Sequence, residues 1–314
     1  MSLPRIIAVA GPTASGKSDL ALKLAHELNG EIVCMDSMQI YCRMDIGTAK
    51  PTAKEQQFVP HHMLDIVEPT ENYAVADYAV DAEKVIREIL SRGKVPILTG
   101  GTGLYLKALM HGLNLGGAGS DEKLRKKLNA LAQEAGGKEQ LHAMLAKVDP
   151  ASAQKLHPND IRRVIRAIEV YELTGSPMSQ QKQEEPQGPF EVLPLAIDLP
   201  RSVLYERLEQ RVHIMMIQGL LFEVAALLES GVTPQMQSMQ GIGYKELIPV
   251  VQENAKLDDA IWQIILNTRH YAKRQVTWLK TEPKTIWLSE TGEGRFARAM
   301  NLIETFLTEG TNEA

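Results

Sequence analysis

The stretch that decides the fold runs from Arg5 to Ser18 and reads RIIAVAGPTASGKS. Its first part, Arg5–Ala10, is an apolar run typical of a buried strand. Its second part, Gly11–Ser18, matches the phosphate-binding pattern G-x-x-x-x-G-K-[ST]. A helical pattern follows at Ser18–Leu28, where apolar residues repeat at helical spacing. Because the motif lies between a strand and the first turn of a helix, it predicts a loop that binds a diphosphate or triphosphate.

The residue types within this loop suit that task. The glycines let successive backbone N–H groups point inward, the helix N-terminus adds positive potential, Lys17 supplies a charge, and the Ser18 hydroxyl can hold Mg²⁺. We therefore predict a phosphate site, with Ser18 as the metal ligand, made of Gly11, Pro12, Thr13, Ala14, Ser15, Gly16, Lys17 and Ser18. The alternative is a loop that has kept its shape and lost its ligand.

The N-terminal third of the chain alternates strand and helix patterns. Strand patterns at Glu31–Met35 and Val95–Thr99 lie on either side of a helical pattern at Val75–Ser91. Such alternation predicts a parallel sheet covered on both faces, with ligands bound beyond the carboxyl ends of the strands. The sheet pattern returns later, as a strand at Val192–Ile197, a helix at about Ser202–Ile217 and a last strand at Thr285–Leu288.

Residues 113–188 have a different character, since helical patterns fill them. A glycine-rich run, residues 116–119, opens this segment, and a polar linker that contains proline, Gln180–Pro189, follows it. We predict an α/β fold with a P-loop nucleotide-kinase-like parallel sheet core, and this core is discontinuous, formed by residues 1–112 and 189–314. A mainly helical domain, residues 113–188, is inserted in it and contributes to RNA binding.

The composition is that of a soluble globular chain, with 314 residues of which 44% are hydrophobic and 23% charged. No apolar run reaches the roughly 18–20 residues that span a bilayer, and the N-terminus lacks the pattern of a secretion signal. Cys34 and Cys42 lie too close together in sequence for a disulfide between them to cross-link distant parts of the fold, and they lack the spacing of zinc ligands. We expect a cytoplasmic protein without membrane contact.

The net charge of −5 argues at first against a nucleic-acid partner, yet residues 281–314 alone carry 3 positive and 6 negative charges. Cations gather in two helical stretches. The first is Asp160–Glu169, with an expected N-cap at Asp160 and an apolar face opposite Arg162, Arg163 and Arg166. The second is Arg269–Lys280, in which four cations and no acid are interleaved with Tyr271 and Trp278. Both stretches favour an RNA surface. The alternatives are a solvated helix face and aromatic residues of the core.

The acidic residues narrow the type of reaction. A hydrolysing P-loop enzyme usually carries an acid at the end of a second strand, but Val95–Thr99 continues into Gly100–Thr102 without one. Within the first 112 residues, the only carboxylate at the end of a predicted strand is that of Asp36. This arrangement favours transfer to an acceptor, with Asp36 as the general base. The alternative is that Asp36 is a turn or N-cap residue.

Several motifs, in this order, resemble those of the tRNA dimethylallyltransferase (tRNA isopentenyltransferase) family over nearly the whole chain. They are Gly11–Ser18, Asp36–Tyr41, Met44–Pro51, His61–Asp65, Gly100–Tyr105, Asp160–Arg163, Gln240–Glu246 and Ala272–Gln275. Eukaryotic members add a zinc finger for which this chain lacks the cysteines, so the resemblance is to the bacterial type. The pair His61–His62 has no third ligand at metal spacing, and we assign no metal to it.

The resemblance implies transfer of a dimethylallyl group from dimethylallyl diphosphate to N6 of the adenosine that follows the anticodon in tRNA. It implies that Thr13–Ser18 hold the diphosphate together with Mg²⁺ and that Asp36 accepts the N6 proton. It also implies an arginine that faces the diphosphate from the helix at about Ser202–Ile217, where Arg207 and Arg211 lie one turn apart, and of these we choose Arg211. Thr13, Asp36 and Arg211 are thus the implied catalytic residues. The implied contacts to the tRNA anticodon stem-loop are Asp36, Ser37, Met38, Gln39, Thr102, Asp160, Ile161, Arg162, Arg163, Val164, Gly241, Ile242, Gly243, Tyr244, Lys245 and Glu246, to which we add Lys273 and Arg274.

Three other functions stay open at this point. They are a small-molecule or nucleotide kinase that uses ATP, a prenyltransferase that acts on free adenine nucleotides, and a catalytically silent P-loop protein that binds RNA. For Arg211, a surface ion pair with Glu206 or Glu209 is the competing interpretation. We expect a monomer.

Overall fold

A computed structural model describes residues 3–112, 119–180 and 188–309. The chain divides into two compact units, the first formed by Met1–His111 and Gly188–Ala314, the second by Gly112–Gln187. Most of the predicted glycine-rich run (residues 116–118) and of the predicted linker (residues 181–187) lies outside the described residues.

The first unit contains a six-stranded sheet in which every neighbouring pair is parallel. In the order β3-β2-β4-β1-β5-β6, its strands are β1 (Arg5–Ala10), β2 (Glu31–Cys34), β3 (His61–His62), β4 (Pro96–Gly100), β5 (Glu191–Ile197) and β6 (Ile286–Leu288). The predicted α/β class with a parallel sheet core is confirmed.

Helices connect the strands and fill the second unit. In chain order they are α1 (Lys17–Glu27), α2 (Ala53–Phe58), α3 (Val75–Ser91), α4 (Gly103–His111), α5 (Glu122–Gln133), α6 (Gly137–Val148), α7 (Pro150–Lys155), α8 (Ile161–Thr174), α9 (Arg201–Gln218), α10 (Leu220–Glu229), α11 (Tyr244–Glu253), α12 (Leu257–Thr281) and α13 (Gly292–Glu309). Among the described residues, no single helix is long and apolar enough to cross a membrane. Within the same residues, one pair of consecutive helices, α9 and α10, is together long and apolar enough by length and composition alone, but the pair is bent by 57°.

Strand β1 lies inside the sheet with both faces buried. Because successive side chains of a strand point to opposite faces, Ile6 and Ala8 join a core that includes residues of α3, α4, α10, α11 and α12. Ile7 and Val9 join a second core together with residues of α1 and α13. The apolar run Arg5–Ala10 is therefore continuous, as expected for a strand of a doubly covered sheet.

The two-residue strand β3 was not predicted. It pairs with β2 in the register Ile32↔His61 and Val33↔His62, and two residues are too few to show a periodic pattern. The Nε2 atom of His62 lies 2.6 Å from Oε2 of Glu31. In the part of the chain that the structure describes, no group of three or more His, Cys, Asp or Glu side chains could hold a metal ion.

In the second unit, α5–α8 pack around a separate apolar core. The Glu169 side chain is fully buried there, and it accepts hydrogen bonds from Arg125 (2.9 Å), Arg166 (2.6 Å) and the Asp121 backbone (2.9 Å). Asp160 occupies the N-cap position of α8, but its side chain makes no cap hydrogen bond. It lies instead 3.4 Å from Arg163, which corrects the capping role predicted for it.

Candidate active site

Three loops meet at one edge of the sheet. Since β1, β2 and β4 are parallel neighbours, the segments that follow them all leave from their carboxyl ends. The loop after β2 is joined to the strand and loop of β4 by backbone bonds, because Met35 N donates to Thr99 O (2.7 Å) and Thr102 N to Met35 O (3.1 Å). The phosphate motif, Asp36 and Thr102 therefore lie at the same edge.

The phosphate motif forms a tight turn between β1 and α1. Ala14 and Gly16 have positive φ values of 62° and 89°, and Ser15 N donates to Pro12 O over 3.2 Å. The Ser15 hydroxyl is buried and has no hydrogen-bond partner among the described residues. A turn of this kind at a helix N-terminus presents backbone N–H groups to an anion.

Two cations, the buried Lys17 and the half-buried Arg211, face this turn. Burial, and after it the charge of Arg211, lowers the pKa of Lys17 to about 8, while Asp36 acts in the opposite direction. Burial also lowers the pKa of Arg211, again opposed by Asp36. Within the described residues neither cation has an ion-pair partner. Of the two competing partners for Arg211, Glu209 binds Arg269 at 2.9 Å and Glu206 accepts a hydrogen bond from the Gln210 amide over 3.3 Å. Two neighbouring cations, each without an ion pair among the described residues, favour binding of an anion.

Asp36 is half-buried in the loop after β2. Its Oδ1 atom accepts a hydrogen bond from Met38 N at 2.9 Å, so the turn role proposed as an alternative is present. No described residue donates a hydrogen bond to Oδ2. Ser37 N donates to the Thr102 hydroxyl over 3.0 Å, which ties this loop to the one after β4. One carboxylate oxygen thus shapes the turn, and the other is available to a substrate.

The Gln39 amide is fixed by the protein. Its nitrogen donates to Thr48 O (3.0 Å) and Ala49 O (3.1 Å), and its oxygen accepts from the Cys34 thiol over 3.2 Å. Burial raises the pKa of that thiol, so Cys34 stays protonated and serves as the donor. The amide oxygen has one remaining lone pair for a ligand.

The sequence interpretation missed Gln275 on α12. Its side-chain oxygen accepts from Thr13 N, and its nitrogen donates to Gly101 O, both over 2.9 Å. It therefore links the phosphate turn to the loop after β4. Gln275 ends the motif Ala272–Gln275, and this motif is the sequence signal that indicates it. The sequence prediction used only the two cations of the motif, Lys273 and Arg274.

Two aromatic residues of the same helix, Tyr271 and Trp278, pack against the loop after β4 and the start of α4. The Tyr271 hydroxyl lies 3.5 Å from Gly101 O, and burial raises its pKa. A Cβ atom on Gly103 would lie 2.4 Å from the Trp278 ring, so this ring packs against the start of α4. Both aromatics are half-buried against the protein, whereas Lys273 and Arg274 are exposed.

The predicted tRNA segment Gly241–Glu246 is mostly buried. Gly241, Gly243 and Tyr244 are buried. The Glu246 carboxylate caps α11, since it accepts from Gly243 N, and it also accepts from the Asn267 amide, both over 2.7 Å. Lys245 is exposed and Ile242 half-buried. Most of this segment thus packs within the first unit.

On α8, the side chains predicted to contact tRNA differ in exposure. Arg162 and Arg163 are exposed, Ile161 is half-buried and Val164 is fully buried. Arg166 donates to Gly119 O over 3.0 Å as well as to the buried Glu169. The face that can meet a phosphate is therefore formed by Arg162 and Arg163.

A sequence model described as "IPP transferase" matches residues 39–282 of this chain. The chain belongs to the IPP transferase family. Curated relatives of this IPP transferase include the tRNA dimethylallyltransferase of Pelotomaculum thermopropionicum, 48% identical over 90% of both chains. Another is tRNA dimethylallyltransferase 1 of Trichlorobacter lovleyi, 49% identical over 91% of this chain and 94% of that protein. The predicted family and its bacterial type are confirmed.

Solved structures of similar proteins agree with the fold. The tRNA isopentenylpyrophosphate transferase of Bacillus halodurans is 40% identical, covers 98% of both chains and gives a TM-score of 0.74. A eukaryotic dimethylallyltransferase acting on tRNA is 31% identical with a TM-score of 0.82, and the match covers 98% of this IPP transferase and 80% of that chain. The shared architecture includes both units described above.

Proposed function

We propose that this protein transfers a dimethylallyl group from dimethylallyl diphosphate to N6 of the adenosine immediately 3′ of the anticodon in tRNA. One observation carries the proposal: Asp36, the buried Lys17 and the half-buried Arg211 share one site, since the Asp36 charge opposes the lowering of the pKa of both cations. The N6 nitrogen attacks the allylic carbon, the bond from that carbon to oxygen breaks, and diphosphate leaves. The N6 proton passes to Asp36.

The donor's diphosphate binds to the phosphate turn. Lys17, Arg211 and the backbone N–H groups at the start of α1 stabilise the negative charge that develops on the leaving group. The Thr13 hydroxyl, which makes no hydrogen bond to any described residue, is a further donor. Because Lys17 is buried and Arg211 half-buried, water screens these interactions less than it would at an exposed site.

A magnesium ion fits this site. The Ser18 side chain is exposed at the start of α1 and makes no hydrogen bond to a described residue. Mg²⁺ often takes only one or two protein ligands and completes its shell with phosphate oxygens and water. When bound, the ion would neutralise charge on the diphosphate, and Ser18 would hold it.

The acceptor base must leave the stack of the anticodon loop to reach Asp36. We assign its binding to Ser37, Met38, Gln39 and Thr102, because the first three follow Asp36 in its loop and Thr102 accepts a hydrogen bond from Ser37 N. The exposed cations Arg162, Arg163, Lys245, Lys273 and Arg274 are the candidates for contacts with RNA phosphates. Buried residues of the predicted set, such as Val164 and Tyr244, pack beneath the exposed ones and do not contact RNA themselves.

Because the acceptor is tRNA, we propose a cytoplasmic enzyme. We also propose that it acts as a monomer.

The identity of the donor tests this proposal. The protein is incubated with tRNA and Mg²⁺ in two reactions, one with dimethylallyl diphosphate labelled in its prenyl group and the other with γ-labelled ATP and candidate small acceptors. We expect the label to reach tRNA only from the prenyl donor. Transfer of the γ-phosphate to a small acceptor, without prenylation of tRNA, would instead establish a kinase.

A further inference from the structure

The turn Asp45–Ala49 is held by a carboxylate from a distant helix. Glu223 on α10 accepts hydrogen bonds at Oε2 from Asp45 N (2.9 Å) and Ile46 N (2.8 Å). Its Oε1 atom accepts from Gly47 N over 3.1 Å. Three successive backbone N–H groups thus converge on one side chain, an arrangement that binds anions strongly.

A fourth donor completes this carboxylate. The Tyr244 hydroxyl donates to Oε1 of Glu223 over 2.6 Å. A carboxylate has about four acceptor sites, so Glu223 has none left for a substrate or a transferred proton. Its contribution must act through the residues that it holds.

Tyr244 holds the same turn by packing. A Cβ atom on Gly47 would lie 2.5 Å from the Tyr244 ring, so the backbone of the turn lies directly on that ring. At Gly241, a Cβ atom would lie 2.7 Å from the Met38 side chain. The start of α11 at Tyr244 therefore supports the turn, and Gly241 just before that helix supports the loop that carries Asp36.

The turn is connected to the acceptor site through Gln39. The Gln39 amide donates to Thr48 O and Ala49 O, at the other end of the turn from Glu223. Gln39 follows Asp36 by three residues, and the Met38 N–H binds the Asp36 carboxylate. Movement of the turn would therefore displace Gln39 and, with it, the general base Asp36.

From these contacts we infer that Glu223 and Tyr244 are positioning residues that fix the turn Asp45–Ala49 and thereby set Gln39 and Asp36 against the acceptor adenine. This inference rests on the proposed function. It assigns the buried part of the Gly241–Glu246 segment a task inside the protein, and it adds Glu223, which no motif had singled out.

Glu223→Gln tests the inference. The amide cannot accept four hydrogen bonds, because its nitrogen would face N–H or O–H donors. We expect hydrogen exchange at the Asp45, Ile46 and Gly47 amides to rise about tenfold or more. The kcat of tRNA prenylation should fall about tenfold to a hundredfold, as misplacement by about 1 Å can cost that much. The Kd for dimethylallyl diphosphate should change less than about twofold, since the phosphate turn is untouched.

Two further variants complete the experiment. Glu229→Gln removes the same charge from the exposed end of the same helix, and both exchange and kcat should equal those of the wild type. Tyr244→Phe removes one of the four hydrogen bonds and keeps the ring, so its kcat should lie between those of the wild type and Glu223→Gln. If Glu223→Gln fails to fold, the comparison of Tyr244→Phe with the wild type tests the inference.

Unchanged exchange at the turn in Glu223→Gln would overturn the inference. So would a kcat at the wild-type value despite faster exchange, or an equal loss of donor affinity and kcat, which would indicate a general structural role. A wild-type protein that prenylates no tRNA refutes the proposed function instead. An active wild type beside a fully active Glu223→Gln variant refutes this inference alone.

Discussion

At the scale of single residues, Asp36 combines two tasks in one side chain. Its Oδ1 atom binds Met38 N, which shapes the acceptor loop, and Oδ2 is free of bonds from the described residues. Asp36→Asn retains an oxygen for the turn and removes the base. We expect kcat to fall by about 10² to 10⁴, with tRNA affinity within about twofold of the wild type, because the carboxylate acts on a proton and contacts no phosphate.

Single-turnover rates and tRNA binding, measured on the same preparations, check this expectation. Asp36→Ala is the comparison variant, since it removes both the base and the turn acceptor. It should be at least as slow as Asp36→Asn and should also loosen the loop. Equal losses of binding and turnover in Asp36→Asn would contradict the role as a base.

Lys17 gives the site a pH dependence. Burial and Arg211 lower its pKa to about 8, so the ammonium is present below that pH and is lost as the pH rises through it. Donor binding needs the charged form, so the affinity for dimethylallyl diphosphate should fall about tenfold between pH 7 and pH 9. Calorimetric titration at several pH values measures this. Lys17→Arg, which stays charged, should flatten the curve, and an equally steep curve in that variant would exclude Lys17 as the titrating group.

At the scale of elements, α8 carries arginines with different tasks. Arg162 and Arg163 are exposed, whereas Arg166 binds the buried Glu169. Replacing Arg162 and Arg163 by alanine should weaken tRNA binding and reduce its salt dependence by about one unit per lost phosphate contact. The free energy of unfolding should stay within about 0.5 kcal/mol of the wild type, as for other exposed substitutions.

Arg166→Ala is the matched variant for this helix. It removes one donor from a buried carboxylate, so we expect a loss of about 1–3 kcal/mol in the free energy of unfolding. Denaturant unfolding and binding at several salt concentrations separate the two effects. An unchanged salt slope after loss of Arg162 and Arg163 would make them an ordinary solvated face.

The sequence predicts these elements well where the pattern is local. Predicted bounds in the sheet core agree with the structure to within one residue, as for Val75–Ser91 and the helix at Ser202–Ile217, observed as Arg201–Gln218. Long apolar stripes and strand runs specify their own conformation. The two-residue strand His61–His62 could not be predicted, because its conformation is imposed by pairing with β2.

Within the candidate site, the sequence specifies residues that belong to a motif but not the contacts between distant segments. The phosphate turn and Asp36 could be predicted because motif and strand lie side by side in the chain. Glu223 binds a turn 176 to 178 residues away in sequence, and no spacing rule indicates such a partner. Tyr244 lies in a recognisable motif, yet only the structure shows that it is buried.

At the scale of the whole molecule, the net charge of −5 hides a local arrangement that suits RNA. Two cations, the buried Lys17 and the half-buried Arg211, lie at the phosphate turn. Other cations, such as Arg162 and Lys273, are exposed on helices. A diphosphate bound by the first group would place the donor beside Asp36, and each cation of the second group is a candidate for a contact with an RNA phosphate.

Identification of the modified nucleotide tests this account most directly. The protein is incubated with dimethylallyl diphosphate, Mg²⁺, tRNA and free AMP, and the nucleosides are analysed by mass spectrometry. A tRNA with guanosine in place of the adenosine 3′ of the anticodon is the control. We predict one dimethylallyl group on N6 of that adenosine, release of one diphosphate per group, and an unmodified control tRNA. Prenylated AMP beside unmodified tRNA would contradict the account.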